Sequence, residues 1–93
     1  MSSTWHLYII QTATGIYYTG ITTDVERRLQ EHRDGKKGAK SLRGKAPLEL
    51  VFTMAVADRS EASSLEARIK KLTHLEKAGL VAGSKEILEQ VRR

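Results

Sequence analysis

The chain has 93 residues, 40% of them hydrophobic, which suits one domain with a modest core, expected to span residues 1–93. It has no cysteine, which excludes disulfides and thiolate metal sites, and no apolar run long enough to cross a membrane. The net charge of +5 favours polyanionic partners. The first residues lack the basic-then-apolar pattern of a secretion signal, so a cytoplasmic location is expected.

Two strands open the chain. Leu7, Tyr8, Ile9 and Ile10 have strand-forming side chains, and Ile16 to Thr22 is similarly enriched. Thr12-Ala13-Thr14-Gly15 between them is a turn cluster with a glycine free to take a positive φ. A turn centred on Ala13 pairs Tyr8 with Tyr18 on one face and sends Tyr17 to the other. A slip of one residue would exchange Tyr18 for Tyr17.

Thr23-Asp24-Val25-Glu26 reads as a capping box with Thr23 as N-cap. In the helix that follows, Val25 and Leu29 form the packing stripe, with Arg28 and His32 at its edge. Arg27, Gln30 and Glu31 lie further round and are expected to be solvated. Taken alone, Arg28 and His32 read equally as ordinary rim residues.

From Arg27 to Lys45 the chain holds eight Lys/Arg and two acids, a local excess of +6. Glycines at 35, 38 and 44 make this a basic loop, with a short helical turn expected from Ala39 to Arg43. Arg33, Lys36, Lys37, Lys40, Arg43 and Lys45 are the candidates for nucleic-acid contact through phosphates. Few aromatics accompany them, which points to backbone contact with little sequence readout.

Leu48 to Val56 is a third strand, apolar on both faces after Leu50. Asp58 or Ser60 caps a helix from Glu61 to Leu72 that buries Ala62, Leu65, Ile69 and Leu72. Glu66 lies at the edge of that stripe and, read locally, pairs with Lys70 across one turn. Thr73-His74-Leu75-Glu76 is a capping box that restarts a helix, and Ser84 caps a last helix to Arg92. The elements describe an α+β protein with a small three-stranded antiparallel sheet flanked by helices.

The ordered set resembles the GIY-YIG nuclease superfamily, in its small stand-alone bacterial form, from about Trp5 to Leu80. His6-Leu7-Tyr8 stands where the family has Gly-Ile-Tyr, and Tyr18-Thr19-Gly20 stands for Tyr-Ile-Gly. The literal Gly15-Ile16-Tyr17 is set aside, because its tyrosine abuts Tyr18 and points the other way. Arg28 follows the second tyrosine by the family's interval, His32 comes one turn later, and Glu66 takes the place of the family's metal ligand. The resemblance implies the order β-β-α-β-α-α and metal-assisted hydrolysis of DNA, whether branched, nicked or single-stranded, with RNA an open alternative. It implies catalytic roles for Tyr8, Tyr18, Arg28, His32 and Glu66, the last holding one Mg²⁺ or Mn²⁺ ion. Arg28 would grip a phosphate oxygen, and His32 would hydrogen-bond a tyrosine and draw off its proton; either tyrosine could be the base. His6, in place of the family glycine, shares the face of Tyr8 if the strand is regular. Lys77 resembles a lysine of the small relatives, and the asparagine many family members carry nearby has no counterpart. The alternative reading is a nucleic-acid-binding domain with weak or no catalysis.

Overall fold

In a computed structural model, which describes residues 4–35 and 37–93, the apolar run at the start of the chain becomes the middle strand of the sheet. Strand β1 (Trp5–Gln11) buries Leu7, Tyr8, Ile9 and Ile10 in succession, so both of its faces are covered. β2 (Tyr17–Thr22) and β3 (Glu49–Val56) flank it, both antiparallel, in the order β2-β1-β3.

The hairpin register differs from the one expected. Tyr8 lies opposite Gly20, and Tyr18 lies opposite Ile10. The turn is centred on Thr14, because the Thr12 amide bonds to the Ile16 carbonyl at 2.9 Å and so closes a longer loop. This shift of two residues preserves parity, so Tyr8 and Tyr18 still share a face. Their ring centroids are 6.4 Å apart. Tyr17 points to the other face, where it packs on the opposite core and stacks on His74 at 5.0 Å. Tyr17 thus points away from Tyr8 and Tyr18, as expected of the literal Gly15-Ile16-Tyr17.

Helix α1 (Val25–Asp34) is capped by Asp24, not by Thr23. The Asp24 carboxylate accepts from the Arg27 amide at 3.0 Å. Thr22 takes up the Asp24 amide instead, at 3.1 Å. Gly35, at φ 76°, ends the helix with its amide on the Glu31 carbonyl. The expected turn in the basic loop is a 3₁₀ segment, Lys40–Leu42. Helices α2 (Arg59–Lys70), α3 (His74–Val81) and α4 (Lys85–Arg92) follow, so the order is β-β-α-β-α-α-α, with the terminal helix counted separately. Asp58 caps α2, and the expected caps at Thr73, a full capping box, and at Ser84 are present.

Two cores result. Leu7 and Ile9 meet Val56, Ala62, Leu65, Ile69, Leu80 and Val91, which places α2, α3 and α4 on one face. Tyr8 and Ile10 meet Leu42 and Leu48, with Tyr18 and Leu29 beside them, under α1 and the 3₁₀ turn. Among the described residues no helix is long and apolar enough to cross a membrane.

Candidate active site

Tyr8 is the centre of the site, and β1 and β2 position it. It is 2% exposed, although its side chain carries a hydroxyl. Its ring lies across Gly20 on β2, and a Cβ at Gly20 would collide with the Tyr8 hydroxyl and ring. A glycine opposite the tyrosine is therefore a steric requirement.

Helix α1 lays His32 over this ring. His32 is 3% exposed, and its Nε2 is 2.8 Å from the Tyr8 hydroxyl. The His32 ring is 5.9 Å from Tyr8 and 5.4 Å, edge-on, from Tyr18. On its far side, His32 Nδ1 accepts from the Ala39 amide at 3.1 Å. Burial, and then the Arg28 charge, hold His32 below its ordinary pKa, although Glu31 opposes the shift.

Arg28, one turn before His32, lies beside the Tyr8 hydroxyl. Its Nη1 donates to Glu31 at 3.0 Å and to the Lys37 carbonyl at 2.8 Å. Glu31 is thus half-buried and engaged, not solvated as expected. Burial opposes the Arg28 charge, but Glu31 and Tyr8 outweigh it and leave its pKa raised.

Glu66 sits at the edge of the buried stripe of α2, which packs on β1 and β2. It is near enough to the Tyr8 hydroxyl to act on it through space. Burial first, then Tyr18 and Glu66, push Tyr8 up from 10.0 to about 12 against the pull of Arg28. Glu66 also makes the local pair expected of it, 3.5 Å from Lys70. Tyr18, Arg28 and His32, from one strand and one helix, thus gather about Tyr8, while Glu66, on the helix that packs against the other face of the sheet, acts on its hydroxyl only through space.

The remaining candidates divide. β1 pairs with β2 without interruption from His6 to Gln11, so His6 has the parity of Tyr8, and its Nδ1 is buried with no hydrogen-bond partner. Lys77 is half-buried on α3, and no hydrogen bond or ion pair among the described residues joins its side chain to the Tyr8 cluster. Arg33, Lys37, Lys40, Arg43 and Lys45 are exposed, and Lys36 lies outside the described residues. Arg33 is partly engaged, donating to the Leu48 carbonyl at 3.1 Å. Arg33 and Arg43 border a cleft of about 390 Å³ beside His32.

Among the described residues no group of three or more His, Asp or Glu side chains gathers as a metal cage. One carboxylate among hydroxyls still fits Mg²⁺, which keeps several waters and binds through one or two carboxylates plus substrate phosphate. Sequence reasoning missed Glu31, Gly38 and Ala39. The spacing of Arg28 and Glu31 was a usable signal, since side chains three apart meet on a helix. The other two act through backbone and left no pattern.

Fold and site together define a small α+β domain with paired tyrosines on adjacent strands beneath an arginine–histidine helix. The chain belongs to the GIY-YIG family: the model of the GIY-YIG catalytic domain matches residues 4–78. It is 57% identical over 81 residues to a UPF0213 protein of Sodalis glossinidius, covering 87% of this chain and 75% of that one. A UPF0213 protein of Yersinia pestis is 54% identical over 86 residues, covering 92% of this chain and 90% of that protein. Among solved structures, the UPF0213 protein BH0048 from Bacillus halodurans is similar, with a TM-score of 0.55 at 39% identity over 94% of this chain and 95% of that one. The protein EF2693 from E. faecalis has a TM-score of 0.61 at 36% identity, over 87% and 85%.

Proposed function

We propose that this protein is a metal-dependent endonuclease that hydrolyses DNA phosphodiester bonds with low sequence specificity and selects branched, nicked or single-stranded structures in repair or recombination. The observation that carries the reading is the grouping of Tyr18, Arg28 and His32 about the Tyr8 hydroxyl, with Glu66 near enough to act on it through space, in a chain of this family. A phosphodiester repels nucleophiles and has a poor leaving group, so its hydrolysis needs a base for water and positive charge at the phosphate.

Tyr8 is the better placed of the two tyrosines to take the proton from water. His32 and Arg28 both act on its oxygen. The Arg28 charge favours the phenolate, but burial, Tyr18 and Glu66 outweigh it and hold the hydroxyl up at about 12. Tyr8 therefore needs the added charge of a bound ion to act as a base near neutral pH. Tyr18 packs edge-on against His32 and walls the site. Arg28 meets the phosphate with the part of its planar head not committed to Glu31 and Lys37. Glu66 would hold a divalent ion. When bound, that ion supplies charge to the phosphate oxygen and acidifies its water. The exposed cations Lys37, Lys40, Arg43 and Lys45 hold the flanking backbone, where affinity is gained without reading bases.

One observation favours the alternative of a nucleic-acid-binding domain with weak or no catalysis. The Glu66 carboxylate already has a cation, Lys70, and among the described residues no group of three or more His, Asp or Glu side chains forms a metal cage. The deciding experiment is nicking of branched, nicked and single-stranded DNA with Mg²⁺ or Mn²⁺ by wild type, Glu66→Ala and Arg28→Ala. Cleavage by wild type that both variants lose supports the nuclease. Equal inertness with retained DNA binding establishes the binding domain.

A further inference from the structure

Three consecutive loop residues fasten to two site residues. The Lys37 carbonyl accepts from Arg28 at 2.8 Å, and the Ala39 amide donates to His32 Nδ1 at 3.1 Å. Gly38, between them, lies against α1: a Cβ there would stand 2.6 Å from His32 Cα and 2.9 Å from Nδ1. Any other residue at position 38 would push the loop off the helix and pull the Ala39 amide from the ring.

A backbone amide has only a proton to offer, so Nδ1 must present its lone pair. A neutral imidazole carries one proton, which is then on Nε2. Nε2–H faces the Tyr8 oxygen at 2.8 Å, so the histidine donates and the tyrosine accepts. We propose that Gly38 and Ala39 are positioning residues that hold His32 in the Nε2–H tautomer, making it a hydrogen-bond donor to the Tyr8 oxygen. This reverses the direction expected from the sequence, in which His32 drew the proton from tyrosine. His32 thereby stabilises negative charge on the Tyr8 oxygen and is not the acceptor of the tyrosine proton. The role in hydrolysis rests on the nuclease reading, whereas the tautomer itself does not.

The loop conformation supplies a probe. Ala39 has φ −64° and ψ 136°, values a proline adopts unstrained, and proline has no N–H. Ala39→Pro therefore deletes this hydrogen bond and also sets the proline Cδ against the imidazole, which displaces His32 from its place under the loop. With ¹⁵N-labelled histidine, wild type should show His32 as the single Nε2–H tautomer, with a scalar coupling from the Ala39 amide to Nδ1. Ala39→Pro should retain the amide spectrum of the folded chain and show a mixture of tautomers. Its kcat on DNA should fall roughly tenfold, with little change in KM. Protonated Nδ1 in wild type, or an unchanged single tautomer in folded Ala39→Pro, would overturn the proposal. Should Ala39→Pro not fold, the wild-type coupling decides: its presence supports the assignment and its absence defeats it. A correct tautomer in a protein that cuts no DNA would retire the nuclease reading and leave this one standing.

Discussion

Tyr8 and Gly20 face each other across the β1–β2 ladder, and the tyrosine occupies the space that a side chain on β2 would need. Gly20→Ala should therefore cost about 1–3 kcal/mol of stability, the usual range for overpacking, and should displace the Tyr8 hydroxyl from His32. Urea unfolding measures the cost. In a Tyr8→Ala background the same glycine change should cost much less, because the colliding ring is gone. Equal costs in both backgrounds would show that the contact is not the reason for the glycine.

Stability should decline at both ends of the pH range, for opposite reasons. Below pH 6.5 an unfolded histidine takes up a proton that buried His32 resists, so acidification favours the unfolded chain. Between pH 10 and about 12 an unfolded tyrosine has lost a proton that Tyr8 keeps, so stability falls as pH rises through that window. Melting temperatures across pH test both limbs. His32→Gln should flatten the acid limb and Tyr8→Phe the alkaline one. If each variant follows the wild-type curve, these groups do not govern the pH dependence.

On the nuclease reading, Lys70 and a metal ion would compete for Glu66. A partly exposed pair one helical turn apart is worth a few tenths of a kcal/mol, about 0.2–0.5, so Lys70→Ala should tighten Mn²⁺ binding by roughly twofold. Glu66→Gln should abolish that binding. Calorimetric titration with Mn²⁺ alone reads both; binding unaffected by Glu66→Gln would remove this residue as the metal ligand.

Removing a loop cation should weaken DNA binding to every sequence alike. Replacing Lys37, Lys40, Arg43 or Lys45 by alanine should each lower the slope of log K against log salt by about 1. Arg33→Ala should also cost folding stability, because Arg33 holds the Leu48 carbonyl. Fluorescence anisotropy from low to moderate salt provides the check, and an unchanged slope would take that residue off the DNA path.

Much of the architecture was legible because alternation and helix period survive small errors. The Tyr8–Tyr18 face tolerated a hairpin register displaced by two residues, since a strand repeats every two. The loop that caused the displacement is closed by a backbone bond from Thr12 to Ile16, which no residue type announces. The cap moved from Thr23 to Asp24 because adjacent Thr and Asp both favour that position, and Thr22 was available to take the Asp24 amide. Helix period placed Arg28, His32 and Glu66 at the edges of apolar stripes, and only the resemblance to the family singled them out as candidates. Their supports were less visible: Gly38 and Ala39 act through an amide and an absent side chain, and both depend on how a loop folds back on α1.

The strand order has a consequence during synthesis. The ribosome makes the middle strand first, and the hairpin fills one of its edges at once. Its other edge, and the apolar Leu7 and Ile9, wait for β3 and α2. A chain stalled in that interval presents an open edge beside bare hydrophobic side chains, the conditions under which nascent strands join the wrong neighbour. The segment emerging during the wait carries the +6 excess, so two such unfinished chains repel each other before their edges can meet.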